Sequence, residues 1–462
     1  MSRMSRMSRM SRMSRMSRVQ HGSTARTADA RATTNVPATT NVPATTDVRA
    51  TGDLRTPTGI QTPTGIRAPG GDRLRVLIVA ESFAPQVNGV AHSVLRVAEH
   101  LISRGHTPVV VAPRARAAPG NGGDGLEQAY GYEVVRVPSV PLPGYPEVRI
   151  ALPGRQLAHA LARHRPDVVH LAGPFVLGAA GRAAADRAGV AVVAVFQTDV
   201  ASYARTYLPV AGAAGARLAW WQLRRVHAGA RTLAPSRASF QALVAHGVPR
   251  VHLWPRGVDC VRFHPRHRDE SLRRRLVPHG EFLVGYVGRL AAEKQVDRLA
   301  EVSRLPGVRL VVVGDGPCRP QLEAALPDAV FLGRRTGPQL ARLYASFDAF
   351  VHAGPFETFG QTIQEAMASG LPVVAPAAGG PLDLVRPGQT GFLVPPGAGA
   401  GFREAVERLL RSGELRSALG RAGRAAVTGR SWEAVGDQLI EHYRLALAET
   451  TPGGDRSPRS GP

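Results

Sequence analysis

A chain of 462 residues, 44% of them hydrophobic, has room for two domains with well-formed cores, yet no apolar run approaches the roughly 18 residues of a membrane-spanning helix. Its only cysteines, Cys260 and Cys318, have no spacing for a metal or disulfide framework, and the arginine-bearing N-terminus lacks the apolar core of a secretory signal; a cytoplasmic chain is expected. The net charge of +23 suits an anionic membrane surface or nucleic acid, or reflects arginine-rich coding; with 5% aromatics and no stacking or groove-reading module, nucleic acid is set aside.

The charge is uneven: 12 arginines against four acids in residues 1–73, 19 against nine in 74–255, and 27 basic against 22 acidic residues in 256–462. Residues 1–18 are six copies of Met-Ser-Arg, and 32–67 are six hexapeptides rich in Thr, Pro and Gly. Thirty-six such residues cannot stack into a β-helix with a core, so 1–73 is predicted to be a disordered, low-complexity tail.

From Leu74 the texture changes. LRVLIVA (74–80) reads as a buried strand, followed by the loop ESFAPQVNGV and a helical pattern, and further strands are predicted at 107–113, 132–138, 167–173, 190–196, 231–236 and 250–255. After the RGVD turn at Arg256–Asp259 a second cycle begins, with strands at 281–287, 309–314, 329–333, 348–353 and 371–376. Buried strands alternating with helices predict an α/β fold of two doubly wound parallel sheets, with a ligand cleft between their strand carboxyl ends. The expected domains are 74–255 and 256–430, followed by an amphipathic helix over 431–450 and a short tail over 451–462.

The stretch HAGPFETFGQTIQEAMASGLPVV (352–374) holds two carboxylates eight residues apart, Glu357 in a loop and Glu365 on a helix that Phe359 and Gly360 open. One carboxylate can reach hydroxyls beside the positive helix end while the other serves a second set about two turns on, which suits a hydroxyl-rich anion such as a nucleotide sugar. Lys294 is the chain's only lysine, in the loop after the first strand of the second unit, and Arg289 lies five residues before it. A compact ammonium beside a planar guanidinium is a complementary clamp for a diphosphate; chance survival of one lysine is the plain alternative. Gly89 in the first strand–helix loop lets backbone approach a phosphate, or merely serves the turn.

GDGP (314–317) lacks the ending of a Walker loop, and GxGxxG is absent from the expected turns, so nucleotide hydrolysis and hydride transfer lose support. No Asp-x-Asp pair offers to bind a metal beside a diphosphate; no metal and no cofactor is expected, and cations with helix dipoles would supply that electrostatic work. His170 at a strand end is either structural or on the acceptor side. Asp199, with Gln197 and Thr198 at the end of a strand, faces the cleft as an acceptor-side candidate. Trp220 and Trp221 read as core packing on two helix faces or as a membrane-interface pair.

The set FAPQVNGV, GRLAAEK, GDGP and E-TFGQTIQ-E-AMASGLPVV resembles the retaining glycosyltransferases of the GT-B fold, in the group called family 4. ESFAPQVNGVAHSVLRVAEHL, HLAGPFVLG, FQTDV and AAGGPLDLV resemble its actinobacterial GDP-mannose-dependent α-mannosyltransferases, over about residues 74–450. The resemblance implies a metal-independent hexosyltransferase moving mannose from GDP-mannose to a lipid or lipid-linked glycan, with peripheral contact at the inner face of the membrane. It implies that 74–255 binds the acceptor, that 256–430 binds the nucleotide sugar and that the helix over 431–450 crosses back to the first domain; Glu357 and the Phe359 and Gly360 amides would contact the sugar and Glu365 the ribose. Arg289 and Lys294, helped by Gly89, would hold the diphosphate, and Gly333 to Gly337, with Arg335, would line the base pocket. Two departures stand out: His170-Leu171-Ala172 replaces a His-x-His, and Arg335-Thr336-Gly337 replaces a guanine-reading Asp. Another donor such as UDP-glucose, and a non-hydrolysing sugar-nucleotide epimerase, remain alternatives.

Overall fold

Runs of Val, Leu, Ile and Ala that are apolar on every residue can be buried on both faces, and such strands assemble into parallel sheets covered by helices. In the computed structural model, residues 73–86, 88–114, 130–142, 145–199 and 212–450 are described, with backbone alone at 142 and over 145–148. The tail predicted over 1–73 therefore lies outside the described residues except for Arg73, whose Nε donates to Thr107 Oγ1 at 3.0 Å, and so does 451–462.

The first nine strands are β1 (Arg75–Val79), β2 (Thr107–Pro113), β3 (Glu133–Val137), β4 (Ser139–Leu142), β5 (Tyr145–Ala151), β6 (Val168–Leu171), β7 (Ala191–Val195), β8 (Arg231–Ala234) and β9 (Val251–Leu253). Seven form a parallel sheet in the order β3-β2-β1-β6-β7-β8-β9, while β4 and β5 pair as an antiparallel hairpin. The other six, β10 (Phe282–Val287), β11 (Val308–Val313), β12 (Val330–Gly333), β13 (Ala349–Val351), β14 (Val373–Pro376) and β15 (Gly391–Val394), form a second parallel sheet ordered β12-β11-β10-β13-β14-β15. Neither the hairpin nor β15 was expected. Pro138, Pro141, Pro143 and Pro146 make the hairpin read as loop, since a ring nitrogen cannot donate to a ladder.

Both sheets are covered on both faces. Along β1, Val76 and Ile78 enter one core with Val193 and Leu233, while Leu77 and Val79 enter another with Val169 and Leu177. The second sheet repeats this, with Val284 and Tyr286 on one face and Leu283 and Val287 on the other. In each sheet the order reverses beside the first strand, β1 or β10, so the loops after these strands open onto the crevice at a topological switch point.

The C-terminal helix Trp432–Thr450 packs on the first sheet. Val435, Leu439, Ile440, Tyr443 and Ala446 join the same core as Val76 and Ile78, and Trp254 Nε1 donates to Val435 O at 2.9 Å. Gly436 lies against the His100 ring where a Cβ would have no room, and Asp437 takes hydrogen bonds from both His100 and Arg104. At the crossover, Val258 N donates to Arg430 O at 2.8 Å, so the outgoing and returning connections brace each other. The two tryptophans divide. Trp220 is buried, stacked on His246 at 3.7 Å; Trp221 is 49% exposed with the Arg225 guanidinium 5.6 Å from its ring, so core packing holds for Trp220 alone.

Candidate active site

Two loops at the carboxyl ends of β10 and β13 meet. The first, Gly288 to Lys294, is clamped from below by GDGP: Gly314 (φ +150°) and Gly316 (φ +159°) pass so close to Gly288 O and Leu290 O that a Cβ at either would collide with backbone. Leu290 N donates to Asp315 O at 3.0 Å, and Cys318 N returns a bond to Leu290 O at 2.9 Å. Tyr286 OH donates to Arg289 O at 3.2 Å, leaving the exposed Arg289 side chain to project from a fixed backbone. A short 3-10 turn, Ala292–Lys294, then delivers the lysine.

The second loop runs from Ala353 to Gly360, following His352 at the strand end. Phe359, 4% exposed, anchors it in the core, and Gly360 (φ +98°) opens the helix Gln361–Ala368 in a conformation that side chains resist. Gly379 and Gly380 press on Glu357 O and Phe359 O, again with no space for a Cβ, and Gly380 N donates to Glu357 O at 2.7 Å. Between these braces Lys294 Nζ donates to Glu357 Oε2 at 2.6 Å, and His352 Nε2 stands 3.5 Å from the same oxygen. Burial favours the neutral carboxyl, but the Lys294 ammonium and its hydrogen bond outweigh it, so Glu357 titrates below its ordinary value.

Glu365 sits one helix face away. Tyr344 OH donates to its Oε2 at 3.1 Å, yet burial dominates and pushes its pKa up to about 7. Arg335 is exposed, its Nη1 turned to Arg334 O at 2.9 Å between two left-handed glycines, Gly333 (φ +67°) and Gly337 (φ +55°).

Across the crevice, Gly89 is exposed at the first turn of the helix Gly89–Ser103, which Asn88 caps by accepting from Ala91 N at 2.9 Å. Asp199 follows Gln197 on the wall that touches the second unit: Thr358 Oγ1 donates to Gln197 O at 3.1 Å, and Arg256 Nη2 to Gln197 Oε1 at 2.5 Å. His170 is not brought to this wall. It is 2% exposed, its Nδ1 is 2.7 Å from Tyr443 OH of the C-terminal helix, and burial with the Arg256 charge drives its pKa down to about 3. That acceptor-side candidate is a core histidine tying the helix to the sheet.

Sequence reading also passed over residues that complete the site. Thr358 makes the cross-cleft bond, and Gln361 and Gln364, one turn apart, donate to Gly257 O and Arg256 O at 3.1 and 3.0 Å. Two amides at i and i+3 on a helix between the paired glutamates were a signal for this seam. Among the described residues no three His, Cys, Asp or Glu side chains stand together to hold a metal ion.

Two Rossmann-like units, with a last helix returning to the first, define a GT-B glycosyltransferase. The sucrose-phosphate synthase structure from Thermosynechococcus elongatus shares this fold, with a TM-score of 0.68, 20% identity, and 81% of this chain and 100% of that one covered. The model described as Glycosyltransferase Family 4 matches residues 87–262, and that of Glycosyl transferases group 1 matches 267–426. The chain is 50% identical over 382 residues to a protein from Mycobacterium tuberculosis (strain CDC 1551 / Oshkosh) named GDP-mannose-dependent alpha-mannosyltransferase, covering 82% of this chain and 98% of that protein. A protein of the same name from Mycolicibacterium smegmatis is 48% identical over 378 residues, 81% of this chain and 98% of its own length. The chain belongs to the family of these GDP-mannose-dependent alpha-mannosyltransferases, within glycosyltransferase family 4, and is a hexosyltransferase.

Proposed function

We propose that the chain transfers mannose from GDP-mannose, with retention of configuration, to a hydroxyl of a lipid or lipid-linked glycan. The observation that carries this reading is the 2.6 Å pair between Lys294 and Glu357, held between two glycine-clamped loops at the switch point of the second sheet. A pyrophosphate arriving there meets the Lys294 ammonium and the Arg289 guanidinium, with Gly89 backbone opposite. Glu357 then orients sugar hydroxyls beside the Phe359 and Gly360 amides, and Glu365 takes the ribose, its carboxylate freed as hydroxyl donors join Tyr344 OH. Gly333 to Gly337, with Arg335, borders the base.

With Glu357 engaged as a positioning group, the leaving diphosphate oxygen accepts the acceptor's proton on the face it departs from, past an oxocarbenium-like centre. The first unit takes the acceptor near Asp199, the second takes the donor, and closure across the Thr358–Gln197 contact joins them. Contact with an anionic membrane surface is supported by the helix Gly212–His227, where Leu218 is 64% exposed beside Trp221 and Arg225. No described helix is long and apolar enough to cross a membrane.

The test is transfer by the purified chain from a panel of labelled sugar nucleotides to a membrane lipid extract. Mannosylated lipid formed from GDP-mannose, with GDP competing better than UDP, is the expected outcome. Turnover from UDP-glucose alone, or an isomerised donor with no acceptor, overturns it.

A further inference from the structure

His352 extends β13 by one residue, its N–H bonding to Val374 O at 2.9 Å, so its backbone belongs to the rigid sheet and not to the loop. Its side chain is 3% exposed, and neither ring nitrogen has a hydrogen-bond partner of good geometry among the described residues. The Gly354 backbone lies near enough to act on the ring, but a buried imidazole with no well-formed hydrogen bond at either nitrogen is costly and calls for an explanation. The nearest candidate is Glu357 Oε2 at 3.5 Å, the oxygen already occupied by Lys294.

We infer that His352 is a positioning residue that takes over the Glu357 carboxylate when the donor draws Lys294 away. This inference rests on the donor reading above. Lys294 cannot turn fully to a pyrophosphate and also keep its present bond to Glu357, and a buried carboxylate abandoned by its cation would swing or take up a proton. His352 stands ready on the same oxygen. Burial holds it neutral, with a pKa pushed down to about 4, so in the tautomer protonated on Nε2 it offers one N–H without adding a charge that would compete with the diphosphate. Closing from 3.5 Å to ordinary hydrogen-bond length needs only a small shift of a loop side chain against a fixed ring. Oε1 is then left to the sugar. No bond is made or broken at His352; it decides where Glu357 points while the sugar is transferred.

The geometry specifies which substitutes work. In His352→Gln the amide N–H reaches the place of Nε2, in His352→Asn it reaches only that of Nδ1, and His352→Phe fills the volume with no donor. His352→Phe should lower kcat about 10- to 100-fold while GDP affinity and Tm stay near wild type, because a mispositioned group costs rate and not nucleotide binding. Gln should recover most of that loss and Asn little. In a Glu357→Gln background the Phe substitution should cost less than about twofold further, the non-additivity of residues acting through one contact. Wild-type kcat in His352→Phe overturns the inference, as do equal losses in Gln and Phe, additive losses in the double variant, or a fall in Tm and GDP binding together. Failure of the donor reading is separate: Lys294→Ala and Glu357→Gln would then keep activity whatever His352 does.

Discussion

The loops after β1 and β10 occupy equivalent places in two sheets whose order reverses beside the first strand, yet they are built differently. The loop carrying Arg289 and Lys294 is wedged between backbone carbonyls by Gly314 and Gly316, with no space for one extra methyl. Around Gly89, in the loop after β1, a Cβ would meet nothing within 4 Å, and Asn88 and Gly89 are both exposed. The contrast fits the proposed division of labour: a nucleotide diphosphate is a fixed shape that rewards the preorganised donors of the second unit, whereas the more open first unit can adapt to what it receives.

The hardest way to break that comparison is to remove charge from the clamped side. Lys294→Ala or Glu357→Gln should each reduce transfer by about 100-fold or more without unfolding, as loss of a preorganised electrostatic partner does; kcat/KM and thermal unfolding check this. Either variant working near the wild-type rate would remove the donor site from this loop. Next, Gly314→Ala and Gly89→Ala set the two loops against each other directly. A Cβ at Gly314 faces a carbonyl that cannot yield, at a φ side chains avoid, so a loss of about 2–4 kcal/mol with weakened GDP binding is expected. Gly89→Ala should change stability by no more than about 0.5 kcal/mol, while the donor KM rises if its backbone approaches the phosphate.

Between the two walls lies the contact of Thr358 with Gln197. Thr358→Val keeps the shape and removes one neutral hydrogen bond worth about 1 kcal/mol, so the donor KM should rise about fivefold with stability unchanged. An unaltered KM would mean that closure does not use this bond.

How much of this was legible follows from what each feature needs. All strands of the two sheets but β15 were readable because cores such as VLIVA or FLVGYV hold no charged residue, and Lys294 stood out by being alone among arginines. The clamp was not readable. GDGP could be excluded as a Walker loop, but its real neighbour, the Gly288–Leu290 backbone, is set by the β10–β11 register. His170 was left open between core and acceptor side for the same reason: a strand end fixes its height in the sheet, while Tyr443, which claims it, arrives 273 residues later. Thr358 lay inside the stretch singled out, yet its partner Gln197 is supplied by the first unit; His352 lay there beside its partner Glu357, but its burial comes from the sheet.

The finest comparison concerns one carboxylate in each unit. Glu81, at the end of β1, accepts from Gly178 N at 2.9 Å, and Glu365 accepts from Tyr344 OH; burial lifts both to about 7. Because the folded state holds these protons more tightly than the unfolded chain, their contribution to stability is complete below about pH 4.5. It falls as pH rises and is gone above about 7. Both side chains are partly exposed, so each is worth on the order of 1–2 kcal/mol over that window. Glu81→Gln and Glu365→Gln should each flatten the fall of Tm between pH 5 and pH 8, on the scale of about 2–4 °C for domains this large. They part in the presence of nucleotide. If Glu365 must ionise to accept ribose hydroxyls, GDP affinity should drop below about pH 7 in wild type and in Glu81→Gln, and lose that dependence only in Glu365→Gln. A pH-independent affinity in the wild type would leave Glu365, like Glu81, as a buried acid serving the fold alone.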